Sequence, residues 1–188
     1  MNTKFISLEG LSGVGKSTIS KLLAKKIGAE LVGTIPQAFG DLRKALDCSE
    51  ATSIHARFLF YLAAVLEGEK SIREVLNAGK TVVVESYLYR TIAFHRGMGS
   101  DLDVSVPSDV LLPDVIFHLT CDELERQCRR QAREKRETCW DRLAEQNAER
   151  ILREYERFKM DIIDTTHLKP QEVVEELVGC LNKSGGEL

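Results

Sequence analysis

Three glycines placed within six positions, at 10, 13 and 15, and followed directly by Lys16 and Ser17, constrain this chain more than any other feature. The segment Gly10-Leu-Ser-Gly-Val-Gly-Lys-Ser17 fits the spacing G-x-x-x-x-G-K-[ST] at every fixed position. It follows a short apolar run, Lys4–Glu9, and opens a helical pattern over Lys16–Ile27 that Gly28 can stop. Glycine lets the backbone wind so that successive N–H groups point at one anion, and the helix N-terminus adds its own partial positive charge. The segment therefore reads as a phosphate-binding loop for ATP. Gly10, Ser12, Gly13, Val14, Gly15, Lys16, Ser17 and Thr18 form the cradle. Lys16 bridges the β- and γ-phosphates, and Ser17 ligates Mg²⁺.

The rest of the chain alternates strand and helix signals. Glu30–Ile35 reads as a weak second strand closed by Pro36, Gln37–Leu46 as loop and helix, and Ser53–Ala78 as a long helix with Gly68 as a kink or break. Thr81–Glu85 is a β-branched run typical of a strand buried on both faces of a parallel sheet. Tyr87–Met98 is helical, Gly99–Leu112 is a surface connection, and Asp114–Thr120 is a fourth strand. Asp122–Phe158 is mostly helical and highly charged, Met160–Asp164 is a fifth strand, and Gln171–Leu181 is the last helix. Five strands separated by helices predict a parallel three-layer α/β domain, and 188 residues suit one such domain, spanning 1–188.

Composition narrows the setting. A net charge of −3 gives no global field for nucleic acid, and no run of about 18 apolar residues is present to cross a membrane. The five cysteines are scattered and odd in number, with no CxxC pair, so neither a zinc site nor a disulfide framework is expected. The N-terminus runs straight into the first strand, and a reducing cytoplasm is the expected compartment.

Three features divide the phosphate-loop proteins. No N-K-x-D occurs in a guanine-reading position, which argues against a GTPase. The third strand ends in an acid, Val82-Val-Val-Glu85. An arginine-rich helix carrying Arg126, Arg129, Arg130, Arg133 and Arg136 follows the fourth strand, and the three- and four-residue spacings put the first four on one face.

With these residues in hand, the chain resembles the thymidylate kinase and deoxynucleoside kinase group over nearly its whole length. Phe5–Thr18 is similar to that group's opening segment. Glu85-Ser86-Tyr87 stands where thymidylate kinases carry D-R-Y and deoxynucleoside kinases carry E-R-S. Thr91–His95, Leu112–Leu119, Asp161–Asp164 and Pro170–Val173 resemble the segments that follow. The resemblance implies a P-loop kinase fold with sheet order 2-3-1-4-5 and a helical lid over residues 126–142. It implies ATP and Mg²⁺ as donor and cofactor, and a small-molecule acceptor that is a nucleoside monophosphate, a nucleoside or a modified relative. Related kinases are often dimers, and a homodimer is carried here by that analogy alone.

In this frame Glu85 accepts the acceptor hydroxyl's proton or orients the metal's water, and shares the metal with Ser17. Arg129 and Arg133 neutralise charge on the transferred group, and Arg126 or Arg130 stacks on adenine. Phe58, Tyr61, Phe94 and His95 line the acceptor pocket, and Arg57 or Arg90 binds an acceptor phosphate. The chain also departs from the group. Thr34-Ile35-Pro36-Gln37 lacks the Arg that follows strand two, Ala64 stands in place of an Arg in the helix before strand three, and Ser86 replaces the Arg of D-R-Y. The leading expectation is thus an ATP-dependent kinase with an altered acceptor. A kinase of a non-nucleotide hydroxyl compound and an ATP-binding switch without acceptor chemistry are the competing readings.

Overall fold

In a computed structural model, which describes residues 3–104, 106–132 and 137–183, the sheet is parallel and ordered β2-β3-β1-β4-β5. The strands are β1 (Phe5–Glu9), β2 (Glu30–Val32), β3 (Val82–Glu85), β4 (Val115–Thr120) and β5 (Asp161–Asp164). The helices are α1 (Lys16–Ile27), α2 (Gly40–Cys48), α3 (Ile54–Asn77), α4 (Leu88–Gly97), α5 (Glu123–Gln131), α6 (Cys139–Gln146), α7 (Ala148–Tyr155) and α8 (Pro170–Lys183). The expected strand order is the observed one.

Alternation along the strands sends side chains to both faces, and helices cover both. Ile6, Leu8, Val83, Phe117 and Leu119 share a cluster with Ile19 and Leu23 of α1 and Val173, Val174 and Leu177 of α8. On the opposite face Phe5, Val82 and Val84 meet Phe58, Leu62, Val65 and Ile72 of α3 and Leu88 and Ile92 of α4. β1 is buried along its whole length between β3 and β4, so the loop leaving its carboxyl end opens at the centre of the sheet. There the order of connections reverses and α/β sheets leave a crevice.

The elements differ from expectation in three places. α3 runs unbroken through Gly68, because the glycine there serves close approach: a Cβ on it would stand 2.3 Å from the carbonyl oxygen of Thr34. β2 pairs only with β3, and three residues of it do so, leaving Gly33–Pro36 to cross over α3. Among the described residues, the charged stretch after β4 forms three helices, α5, α6 and α7. A capping box starts α6, with the Thr138 side chain accepting from Asp141 N–H and the Asp141 carboxylate accepting from Thr138 N–H.

Candidate functional site

The phosphate loop spans the gap between β1 and α1. Gly10, Gly13 and Gly15 have φ of +134°, +105° and +101°, a region where side chains are strained. A Cβ on Gly13 would meet Cγ of Arg126 at 2.8 Å, and one on Gly10 would meet the Leu119 carbonyl oxygen at 2.4 Å. The first turn of α1 carries no acidic residue, so no side chain of the turn itself offsets the partial positive charge of the helix N-terminus. Lys16 is buried, and its Nζ donates to the carbonyls of Gly10 at 2.9 Å and Leu11 at 2.7 Å. A loop wound around its own ammonium, with helix amides beyond it, fits a nucleotide triphosphate chain.

Glu85 ends β3 beside this loop, and the Ser17 hydroxyl donates to its Oε1 at 2.6 Å. A hydroxyl and a carboxylate at the foot of a phosphate cradle form a hard oxygen pair that suits Mg²⁺, held directly or through its waters. The sheet register brings the two together, with Leu8 of β1 opposite Glu85 of β3.

The loop and Glu85 open onto a cleft of about 620 Å³. Arg57, Tyr61, Arg90, Phe94 and His95 all line it. Phe58 does not: it is fully buried and stacks on the rear of the His95 ring, with centroids 5.0 Å apart. The expectation that it touches an acceptor is therefore corrected. Its spacing on α3 matches that of a pocket residue, but it faces the sheet.

Arg57 is held through its two terminal nitrogens and two aromatic rings. It donates to Asp47 at 2.8 Å and to the Tyr61 hydroxyl at 3.4 Å, and lies 4.4 Å from the Tyr61 ring and 4.8 Å from that of Trp140. Its Nη1 is 3.0 Å from His95 Nε2, while His95 Nδ1 is 2.6 Å from the Thr91 carbonyl oxygen. A carbonyl only accepts, so Nδ1 carries the proton, and Nε2 accepts from Arg57. Arg57 thus enters the cleft with its charge matched by Asp47. Arg90 differs: among the described residues it makes no ion pair or hydrogen bond, and its guanidinium lies 3.7 Å over the Phe94 ring.

Arg43, Asp47, Trp140 and Asp141 also line the cleft, and sequence reasoning missed all four. Arg43 and Asp47 lie one turn apart on α2 and pair at 3.5 Å, a spacing visible in the sequence. Trp140 is the chain's only tryptophan, and its Nε1–H donates to the Leu46 carbonyl, fastening α6 to α2.

The described arginines of α5 do not act as one face. Arg126 is buried and donates to the Ser12 carbonyl at 2.9 Å, with Glu123 and Glu145 pairing its charge. The expectation that it stacks on adenine is corrected, because its guanidinium braces the phosphate loop from behind. Arg130 pairs with Glu137 and Glu145. Arg129 turns the other way, onto the Thr165 hydroxyl and the carbonyls of Thr165 and Thr166. Arg133 lies outside the described residues.

Burial also sets the protonation of two imidazoles, His95 in the cleft and His118 on β4. It holds His95 down to about 3, with Arg57 and Arg90 adding to its effect against the hydrogen bond to Thr91. It holds His118 down to about 4, aided by Lys16. In the unfolded chain both titrate near 6.5, so the unfolded state takes up protons first as pH falls. Stability is full above about 6.5 and declines toward about 4, with a slope of about 1.4 kcal/mol per pH unit for each histidine. Glu9 acts oppositely: burial raises its pKa, so its contribution is present at low pH and is lost as pH rises through the folded value. It offsets part of the decline. Thermal midpoints should therefore fall steadily between pH 6.5 and 4.5 and fall less steeply in His118→Asn. A flat profile in the native protein would contradict these assignments.

A phosphate cradle, a hydroxyl–carboxylate pair at its foot and an arginine-lined cleft on a 2-3-1-4-5 sheet define an ATP-dependent phosphotransferase of the nucleotide-kinase class. Comparison with known proteins agrees. The pattern of the thymidylate kinase family matches residues 8–177. The chain is 31% identical to the probable thymidylate kinase of Methanocaldococcus jannaschii over 96% of its own length and 97% of that protein's. It is 28% identical to the probable thymidylate kinase of Thermococcus kodakarensis, over 93% and 98%. Its fold matches that of thymidylate kinase from Candida albicans with a TM-score of 0.79 at 18% identity, covering 98% of this chain and 93% of the other. It matches thymidylate kinase from Ehrlichia chaffeensis with a TM-score of 0.67 at 21% identity, covering 97% and 100%.

The chain belongs to the thymidylate kinase family, and like that family it phosphorylates a nucleoside monophosphate with ATP and Mg²⁺. Among the described residues no helix is long and apolar enough to cross a membrane.

Proposed function

We propose that Arg90 holds the acceptor's phosphate and that thymidylate itself is a weaker acceptor than a related nucleoside monophosphate. The observation that carries this reading is Arg90, a cation in the cleft without a carboxylate partner among the described residues. It sits in the first turn of α4, where the helix dipole disfavours a positive charge and the helix's own first turn carries no acidic residue. An incoming phosphate relieves that repulsion. Ser86, which stands where the family carries a phosphate-binding Arg, is four residues earlier, so the guanidinium has moved about one helical turn along the chain.

The base-facing groups support an altered acceptor. Ala64 is fully buried and offers a base nothing. The polar groups left on that wall are Arg57, Tyr61 and His95, already bonded to one another or to Asp47. An edge that reads them must match Arg57's remaining donors, an arrangement with no counterpart at the family's own Arg position. During transfer, Lys16 and the helix amides hold the β- and γ-phosphates, and Arg90 holds the acceptor's phosphate in line. Bound Mg²⁺ would neutralise phosphate charge beside Ser17 and Glu85.

A panel of nucleoside monophosphates assayed with ATP tests the reading. Another monophosphate should exceed thymidylate in kcat/KM by about tenfold or more, the effect of one lost charge-assisted contact. Thymidylate as the best acceptor, at a kcat/KM above about 10⁵ M⁻¹s⁻¹, would refute it.

A further inference from the structure

Ser86 is the one non-glycine among the described residues with a left-handed backbone, at φ +68°. It lies directly between Glu85 and the start of α4, so whatever fixes this turn also fixes where the Glu85 carboxylate points. Two hydrogen bonds do so, and both come from β1. The Ser86 N–H donates to the Leu8 carbonyl at 3.0 Å, and the Tyr87 N–H donates to Glu9 Oε1 at 2.9 Å. Glu9 is wholly buried. Its Oε1 also accepts from the Ser7 hydroxyl at 2.6 Å, and its Oε2 has no hydrogen-bond partner among the described residues.

A carboxylate in this position is costly. An apolar side chain would satisfy the core better but would leave the Tyr87 N–H unpaired and the turn unheld. The acid also ends the strand that feeds the phosphate loop, since Gly10 follows it immediately. It therefore ties the loop's strand to the turn behind the metal pair.

We propose that Glu9 is a positioning residue for phosphoryl transfer. Acting through the Tyr87 amide, it holds the strained Ser86 turn so that Glu85 meets Ser17. This rests on the reading that Glu85 and Ser17 serve the metal. Glu9 itself touches neither nucleotide nor metal, so its effect passes through the geometry of that pair.

The test is a set of Glu9 variants in the full chain, each checked by melting, with kcat, the KM for ATP and calorimetric ATP binding with and without Mg²⁺. Glu9→Met keeps the volume and removes the acceptor oxygen. It should lower kcat on the order of 10- to 100-fold, as displacements of about an ångström do. It should also abolish the gain in ATP affinity that Mg²⁺ gives, while ATP without Mg²⁺ binds as in the native protein. Glu9→Gln retains an acceptor for the Tyr87 amide and should recover most of both properties. A core role alone would alter melting and leave the Mg²⁺-dependent binding unmoved. Should Glu9→Met fail to fold, Glu9→Asp, which draws the carboxylate back by one methylene, is read in its place and should show the same two losses. Native kcat and native Mg²⁺-dependent binding in either folded variant would overturn the proposal, as would Glu9→Gln behaving like Glu9→Met. Glu85→Gln run alongside separates the two levels. If it is impaired while the Glu9 variants are not, only this inference fails. If it is fully active, the reading of the metal pair fails first.

Discussion

Lys16→Ala should leave a folded protein whose kcat is lower on the order of 100-fold or more. The native ammonium is satisfied by two loop carbonyls, Gly10 at 2.9 Å and Leu11 at 2.7 Å. Those oxygens belong to the phosphate loop itself, so the ligand-free loop is already wound around one positive charge. A triphosphate chain entering the cradle brings acceptor oxygens that compete for the same ammonium, and their charge exceeds that of two carbonyl dipoles. Alanine removes the cation and leaves the glycine conformations and helix dipole in place. Binding of ATP should therefore fall less than turnover, because charge shifts most as the γ-phosphoryl group moves. Lys16→Arg should not restore the rate, since a planar fork cannot reproduce a compact ammonium in a buried loop. Melting temperature and single-turnover rates decide this. Near-native turnover in folded Lys16→Ala would show that the loop does not serve phosphoryl transfer.

That much was legible because the loop is local. Gly10, Gly13, Gly15, Lys16 and Ser17 owe their roles to backbone winding within one short segment, and spacing along the chain records it. Strand order was legible for another reason: the resemblance covers most of the chain, and a buried β-branched run such as Val82–Val84 has few places to go. The acceptor wall was less legible because it joins α2, α3, α4 and α6, whose mutual placement no spacing records. Arg57 and Arg90 look alike in the sequence. In the fold one is matched by Asp47 from another helix, and the other is left without an ion pair among the described residues. Phe58 and Tyr61 differ by three positions on α3, yet one faces the sheet and the other the cleft. The arginines of α5 show the same limit. Helical spacing puts Arg126, Arg129 and Arg130 near one another, but Glu145 of α6 draws two of them inward while Thr165 holds the third. Glu9 could have been suspected from the sequence, as an acid closing an otherwise apolar strand at the mouth of the loop.

Arg90→Ala should reduce kcat/KM for the monophosphate acceptor by roughly 10- to 150-fold, the span that one charge-assisted hydrogen bond of about 1.5–3 kcal/mol covers. The loss should fall on the acceptor alone, for three reasons. Arg90 carries no ion pair or hydrogen bond among the described residues, so its removal breaks no direct contact with a carboxylate, although its charge helps to offset the burial of Glu9. Its guanidinium rests on Phe94, a surface that alanine merely uncovers. And it lies on α4, whereas the cradle for ATP is built from α1 and the loop before it. The KM for ATP and the slow hydrolysis of ATP without acceptor should therefore stay within about twofold of native values. Arg90→Lys should recover part of the loss, since the charge returns without the planar fork. The sharpest control is the matching nucleoside without its phosphate. If Arg90 reads the phosphate, Arg90→Ala costs the nucleotide its advantage and leaves the nucleoside's already low rate unchanged. Equal losses for nucleotide and nucleoside would mean that Arg90 shapes the base pocket instead, and the phosphate would then have to be held by Arg43 or Arg57 at the expense of their pairing with Asp47.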